Sequence, residues 1–232
     1  MGRGQARYDE VADDYAAMFG DQLDDPATSA LLELLGEVQG SHLLDAPCGE
    51  GRVARDLARG GAKVVGVDLS VVLLEKAREL EESASLGVEY LHADITASDT
   101  LADEVFDGVV CNFGFSDIDD LDGALSTFTR VLRASGVFVF SLLHPCFPGW
   151  PGVSGAWPPE GYYEERFWRP EAAGSELRRE VGSNHRMLST YLNALVAHGL
   201  VIEELFERAL DPWPIPDVNP MPMFLAGRCR KG

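Results

Sequence analysis

The sequence has few cysteines, few basic residues and no long apolar run. Its four cysteines are scattered without a Cys-x-x-Cys pair, which argues against a disulfide framework or a zinc site and favours reduced thiols in the cytoplasm. The 19 Lys and Arg against 38 Asp and Glu give a formal net charge of -19, which disfavours nucleic acid and anionic membranes as partners. No apolar run approaches the roughly 20 residues of a membrane span. The N-terminus also lacks the apolar stretch of a signal peptide, so we expect a cytoplasmic protein.

The 232 residues suffice for one domain with an ordinary hydrophobic core. Between residues 41 and 143, short apolar stretches alternate with patterns of helical period, and this alternation predicts βαβ units around a parallel sheet. The fold class predicted is therefore α/β, with helices on both faces of the sheet. The predicted strands are 41–46, 63–68, 88–93, 105–112 and 136–143. The predicted helices are 52–59, 71–85 with Ser70 as its capping residue, and 121–132.

Two regions outside this alternation are candidates for covering a site. Residues 145–183 are rich in Pro, Gly and aromatic side chains, which predicts a lid or acceptor loop with Trp150 and Tyr163 in its wall; the same aromatics could instead only hold the loop on the sheet. Residues 1–40 form predicted helical segments, with Tyr8 and Tyr15 seven positions apart on one face. A last helix near 188–198 and strands near 201–209 and 223–229 complete the single domain, 1–232.

The segment from Asp45 to Ala54 joins the first predicted strand to a helix through Gly49 and Gly51. In open α/β sheets this turn borders the crevice that binds adenine-containing ligands. The glycines alone also fit a dinucleotide site, but Asp45 would oppose a pyrophosphate held at the helix N-terminus. S-adenosylmethionine has no phosphate and carries an ammonium and a sulfonium, so the carboxylate favours this cofactor.

Carboxylates at the ends of the next two predicted strands extend the same site. Asp68 is placed to accept the ribose hydroxyls, Asp94 suits the adenine amino group, and Ile95 can pack on the adenine ring. The alternative is that the glycines only let a helix pack closely on a strand while Asp68 caps the helix at Ser70. An NAD(P)-binding oxidoreductase also stays open at this point.

The order of motifs resembles the class I S-adenosylmethionine-dependent methyltransferases over roughly residues 41–143. The motifs are LDAPCGEG at 44–51, VDLS at 67–70, HADI at 92–95, FDGVVCN at 106–112 and RVLRASGVF at 130–138. The resemblance implies a seven-stranded sheet of order 3-2-1-4-5-7-6 with strand 7 antiparallel. It also implies cofactor contacts by Ala46, Leu69, Asn112 and Phe113, and a tyrosine of the N-terminal segment, Tyr15, against the methionine part. Pro47 departs from the pattern, since the family often has glycine there.

Transfer of a methyl group needs positioning, and a hydroxyl acceptor must also lose a proton. His144, directly after the fifth predicted strand, is the candidate base; it could instead only bond to the loop backbone. His185 and Tyr8 are further candidates for acceptor contact. The acidic run 117–122 lacks the glycine and final glutamate of a calcium loop and indicates a helix start, with no metal expected.

We therefore expect a methyltransferase acting on oxygen or nitrogen of a small molecule. The alternative from another class is a fold that binds the cofactor without transferring methyl, as a cyclase-type catalyst or a binding module. The sequence leaves open whether the protein is a homodimer.

Overall fold

A seven-stranded mixed sheet lies at the centre of the protein. The computed structural model describes residues 6–19, 23, 25–97, 99–150, 153–155, 158–170, 176–209 and 220–232. Across the sheet the strand order is β3-β2-β1-β4-β5-β11-β10, and β11 is antiparallel to both of its neighbours. The α/β fold and the predicted order 3-2-1-4-5-7-6 are confirmed. The strands are β1 (His42–Asp45), β2 (Lys63–Asp68), β3 (Glu89–His92), β4 (Phe106–Asn112), β5 (Leu132–Leu143), β6 (Gly149–Trp150), β7 (Val153–Ser154), β8 (Arg166–Trp168), β9 (Ser183–His185), β10 (Leu200–Arg208) and β11 (Phe224–Lys231).

The helices begin where side chains can satisfy free backbone amides. Ser70 accepts from the Leu73 amide at 3.1 Å, as its predicted capping role requires, and Asp120 accepts from the Gly123 amide at 2.9 Å. None of the helices in the described part of the chain is long and apolar enough to cross a membrane. The helices are α1 (Ala12–Phe19), α2 (Pro26–Leu35), α3 (Arg52–Arg59), α4 (Val71–Ala84), α5 (Leu121–Val131), α6 (Glu176–Val181) and α7 (Leu188–Ala197), with a 3-10 turn at Asp9–Val11.

Apolar clusters cover both faces of the sheet, as expected for strands that are buried on both sides. One cluster stacks Phe115, Phe138 and Phe140 with Tyr191 of α7. The cluster on the other face is mainly aliphatic and contains Leu31 of α2 and Tyr90 of β3 among its buried members. These two layers fix the sheet, and its strands β1, β2 and β4 therefore end at one rigid edge.

The structure differs from the predicted elements in two places. β5 begins at Leu132, four residues before the predicted start, because Leu132 pairs with Phe106 and the register then shifts so that Val137 pairs with Gly108. Arg133, Ala134 and Ser135 bulge outward and are exposed. The region 145–183, predicted as a loop, contains α6 and two small antiparallel sheets, β6-β7 and β8-β9. We call residues 145–186 the insertion. The backbone of β8 pairs with that of β9, and this pairing gives the insertion a structure that its aromatic content alone does not reveal.

Candidate cofactor and acceptor site

The loop between β1 and α3 forms the floor of a pocket at the carboxyl edge of the sheet. Gly49 and Gly51 both adopt positive φ, +56° and +78°. A Cβ on Gly51 would lie 2.3 Å from the Tyr90 hydroxyl, so close packing as well as backbone conformation requires glycine there. A Cβ on Gly49 would meet only the Tyr15 ring and hydroxyl, at 3.7 Å or more. The packing reason for the glycines is thus confirmed for Gly51, whereas Gly49 borders open space.

Asp45 ends β1 at the bottom of this pocket. Its side chain is 1% exposed, and within the described part of the chain neither carboxylate oxygen has a hydrogen-bond partner. Burial raises the pKa of Asp45 to about 8, against the effect of the nearby Ala54 amide; the negative charge of Asp68 adds to the shift and the Arg52 guanidinium opposes it. An unpartnered buried carboxylate is costly. A cationic ligand in the pocket would remove that cost.

Asp68 ends β2 and holds the glycine loop in place. Its Oδ2 accepts from the Gly49 amide at 2.7 Å, and its Oδ1 accepts from the Ser70 amide at 2.8 Å. Burial nevertheless raises its pKa above the ordinary value, against the effect of these amides. Each carboxylate oxygen has about two lone pairs, so both can accept a further hydrogen bond. The helix cap itself is supplied by the Ser70 hydroxyl, and Asp68 remains available to a ligand.

Asn112 lines the same pocket at the end of β4. Its amide Nδ2 donates to Thr28 Oγ1 at 3.0 Å, and its Oδ1 accepts from the Ser141 hydroxyl. Phe113 has a φ of +55°, donates its amide to Ser141 and packs edge-on against Phe224. Sequence reasoning missed Thr28 and Ser141, both fully buried, because neither belongs to a motif.

The remaining predicted cofactor residues do not line this pocket, and they contact other parts of the protein. Ala46 is fully buried and donates its amide to the Val110 carbonyl of β4. The Leu69 carbonyl lies 3.1 Å from His92 Nε2. Asp94 Oδ1 accepts from the amide and the hydroxyl of Thr96, and so fixes the turn after β3. Ile95 is 7% exposed and belongs to the main apolar cluster.

The N-terminal segment brings its two tyrosines toward the pocket. Tyr15 lines it together with Asp45 and Gly49, and burial raises the pKa of Tyr15 to about 12, so its hydroxyl stays protonated. Tyr8 packs edge-on against Tyr15 with 5.4 Å between ring centroids, and its hydroxyl donates to Asp117 Oδ2 at 2.9 Å. The predicted common face of the two tyrosines is therefore present, with Tyr8 farther from the glycine loop.

The geometry of His144 does not support a role as a base. Its Nδ1 accepts from the Cys146 amide at 3.1 Å, so Nε2 carries the proton and donates to Glu207 Oε1 at 2.8 Å. The side chain is 3% exposed. His144 therefore connects the turn after β5 to β10, which is the backbone-holding alternative considered for it.

The predicted acceptor wall is only partly assembled. His185 is buried in the β8-β9 sheet, with Nε2 2.6 Å from the Tyr162 carbonyl. Tyr163 is 81% exposed, which corrects its placement as a wall residue. The Trp150 side chain and Trp157 lie outside the described residues.

The acidic side chains of residues 117–122 form contacts within the protein and cap a helix. Asp117 pairs with Arg178, Asp120 caps α5, and Asp122 lies 3.0 Å from His198. The part of the chain that the structure describes holds no group of three or more His, Cys, Asp and Glu placed to bind a metal. The helix start predicted for this run is confirmed by the position of Asp120.

Comparison with known proteins places this geometry in a family. Residues 44–140 match the family model described as a methyltransferase domain. A solved S-adenosylmethionine dependent methyltransferase from Mesorhizobium loti is 30% identical, with 90% of this chain and 100% of that chain covered and a TM-score of 0.73.

Two curated relatives match a shorter part. The malonyl-[acyl-carrier protein] O-methyltransferase of Salmonella typhimurium is 35% identical over 68% of this chain and 56% of its own length. A ubiquinone biosynthesis O-methyltransferase of Alkalilimnicola ehrlichii is 33% identical over 48% of this chain and 45% of its own. The chain thus spans about half the length of these curated relatives. Because the relative from Mesorhizobium loti is covered over its whole length, the chain belongs to the S-adenosylmethionine-dependent methyltransferases, and S-adenosylmethionine is its cofactor.

Proposed function

We propose that this enzyme methylates an oxygen of a small-molecule acceptor, with the cofactor in the pocket between β1 and α3. The observation that carries the proposal is Asp45, a fully buried carboxylate with two unpartnered oxygens in the pocket floor. The cofactor has an ammonium group and supplies a methyl group on a positively charged sulfur. A dinucleotide would instead bring its pyrophosphate to the amides of this loop, near the buried carboxylates Asp45 and Asp68.

The residues around the pocket have chemistry that fits the cofactor. We assign Asp45 to the ammonium and Asp68 to the ribose hydroxyls, since both carboxylates can accept further hydrogen bonds. Tyr15 and Asn112 close the pocket from the N-terminal segment and from β4. Tyr15 stays neutral at physiological pH, because burial raises its pKa to about 12. Asp94 and Ile95 stay assigned to the adenine, where the turn at Thr96 holds the Asp94 side chain.

The acceptor atom is proposed to be an oxygen that is already ionised near neutral pH. Both ring nitrogens of His144 are bonded within the protein, and His185 is buried in its own small sheet. A carboxylate or an acidic phenol needs no base, because its lone pair is free to attack. The two curated relatives bear the names of O-methyltransferases of a malonyl carrier and of ubiquinone biosynthesis, which supports oxygen over nitrogen.

Calorimetric titration tests the cofactor site. We expect micromolar binding of S-adenosylmethionine and its demethylated product, and no heat from NADH. Asp45→Asn should weaken binding of both ligands. Its matched control is Asp103→Asn, since the Asp103 side chain is 70% exposed and pairs with Arg130 rather than lining the pocket. Binding of NADH by the wild type would contradict the proposal.

The acceptor class is tested with cofactor carrying a labelled methyl group. A malonyl thioester, a catechol and a primary aromatic amine serve as probes of carboxylate, phenol and nitrogen acceptors. We expect label on an oxygen acceptor, with a rate that follows the ionisation of that acceptor across pH. Label on the amine alone would contradict the assignment to oxygen. A cyclase-type function would leave all three probes unlabelled while the cofactor still bound.

A further inference from the structure

Residues 115–119, which we call the β4 loop, join two segments that are far apart in sequence. From the N-terminal segment, Tyr8 donates to Asp117 Oδ2 at 2.9 Å. From α6 in the insertion, the Arg178 guanidinium pairs with the other oxygen, Asp117 Oδ1. Asp117 is therefore bonded on one oxygen by the N-terminal segment and on the other by the insertion.

Further bonds to the same loop come from both segments. Arg7 pairs with Asp119 at 2.7 Å and also donates to the Asp117 carbonyl, and its guanidinium lies 4.9 Å from the Phe167 ring of β8. Arg186 donates to the Ile118 and Asp119 carbonyls at 2.8 Å each. The insertion and the N-terminal segment thus both bond to the β4 loop. The Asp117 side chain accepts from both segments, as does Asp119, which accepts from Arg7 and Asn184, and Asp117 is the one of the two that bonds to Tyr8.

One of these connections leads to the cofactor pocket. Tyr8 packs against Tyr15, and Tyr15 lines the pocket beside Asp45 and Gly49. Arg178 does not line that pocket and bonds to Asp117 and to the Gly182 carbonyl. Asp117 and Tyr8 therefore connect Arg178 to Tyr15 through side-chain contacts, although Arg178 does not line the pocket itself.

We propose that Asp117 is a positioning residue that couples cofactor binding under Tyr15 to the order of the insertion. The proposal rests on the cofactor pocket assigned above. A coupling between two sites is reciprocal. A cofactor bound in the pocket would hold the N-terminal segment against the sheet. Asp117 would then keep α6 and the rest of the insertion in place. The cofactor would therefore bind before the acceptor.

The test is a double-mutant cycle on cofactor affinity, measured by calorimetry without any acceptor. Tyr8→Phe removes the hydrogen bond from the N-terminal segment to Asp117, and Arg178→Met removes the ion pair between α6 and Asp117. We expect each to weaken S-adenosylmethionine binding by about three- to tenfold and the double variant to be no weaker than either alone, because bonds in one network are not additive. Arg178→Lys should recover part of the affinity.

The matched control is Arg179→Met on the same helix, since Arg179 is paired only weakly with Glu176 at 3.9 Å. Amide hydrogen exchange gives a second readout that does not need turnover. Cofactor should slow exchange in residues 176–186 of the wild type and of Arg179→Met, and lose this effect in Arg178→Met.

Unchanged cofactor affinity in Arg178→Met, or strictly additive effects in the double variant, would overturn the coupling. Arg178→Met with normal melting but lost cofactor protection of 176–186 would support it. If Asp45→Asn also leaves affinity unchanged, the pocket assignment has failed instead. If Asp45→Asn abolishes binding and Arg178→Met does not weaken it, the pocket stands and the coupling fails.

Discussion

The cofactor pocket and the β4 loop differ in how their carboxylates are paired. In the pocket, Asp45 is buried without a hydrogen-bond partner in the described part of the chain, and burial raises its pKa to about 8. In the β4 loop, Asp117 and Asp119 form ion pairs with arginines from two segments. An unpaired buried charge costs stability unless a ligand satisfies it, whereas a paired charge already holds structure. The comparison distinguishes a place for a ligand from a place that orders the chain.

The largest expected effect comes from Asp45→Asn. Loss of a charged hydrogen-bond acceptor in a buried site costs about 1.5–3 kcal/mol, so cofactor affinity should fall up to roughly 100-fold. The free protein should become more stable at pH 7 and above. Because folding raises the pKa of Asp45, the folded state binds the extra proton and wild-type stability falls as pH rises from about 4 to about 8.

Calorimetry and thermal melting from pH 5 to pH 9 measure both effects of Asp45→Asn. The melting temperature of the variant minus that of the wild type should grow with pH and level off above about pH 8. Equal cofactor affinity in the two proteins would mean that Asp45 does not face the ammonium and would remove the distinction between the pocket and the β4 loop.

Asp68→Ala should weaken cofactor binding by about tenfold or more. The effect has two sources, since the carboxylate is assigned to the ribose and also holds the Gly49 amide. Titration with adenosine as well as with the whole cofactor separates them, because adenosine retains the ribose and lacks the methionine part. A variant that binds both ligands like the wild type would show that Asp68 serves only the loop.

The pH dependence of binding should be of comparable size. Below pH 8, an ammonium ligand must displace the proton on Asp45, so affinity should rise by up to about 20-fold between about pH 6 and pH 7.5. Titrations in two buffers of different ionisation heat should show proton release on binding at pH 6.5. Proton release that persists in Asp45→Asn would have to come from another group.

The smallest effect on turnover is expected for His144→Ala. A general base contributes about 100-fold or more, whereas we expect turnover to change less than about twofold and the melting temperature to fall, since the bond to Glu207 is lost. Rate measurements across pH and a melting curve distinguish a role of His144 as a general base from a purely structural role. A large loss of rate with unchanged cofactor affinity would restore His144 as the base.

The sheet and the cofactor loop could be predicted because their signals are local. Apolar stretches such as 63–68 and capping residues such as Ser70 specify strands and helix starts over a few residues. Gly49, Gly51 and Asp68 lie within 20 positions of one another, and an α/β sheet brings consecutive strand ends to one edge. The region 145–183 gives no such signal, because its aromatic content predicts Tyr163 in a wall although the side chain is exposed.

The sequence by itself determined the α/β fold, the strand order implied by its family motifs, and the carboxylates at the strand ends. Only the tertiary structure decided which charges are paired. Tyr8 and Arg178 meet Asp117 from positions 109 and 61 residues away, and His144 meets Glu207 across 63 residues. Such partners are chosen by how whole segments pack on the sheet, and a hydrogen bond depends on distances of a few tenths of an ångström that no local pattern encodes.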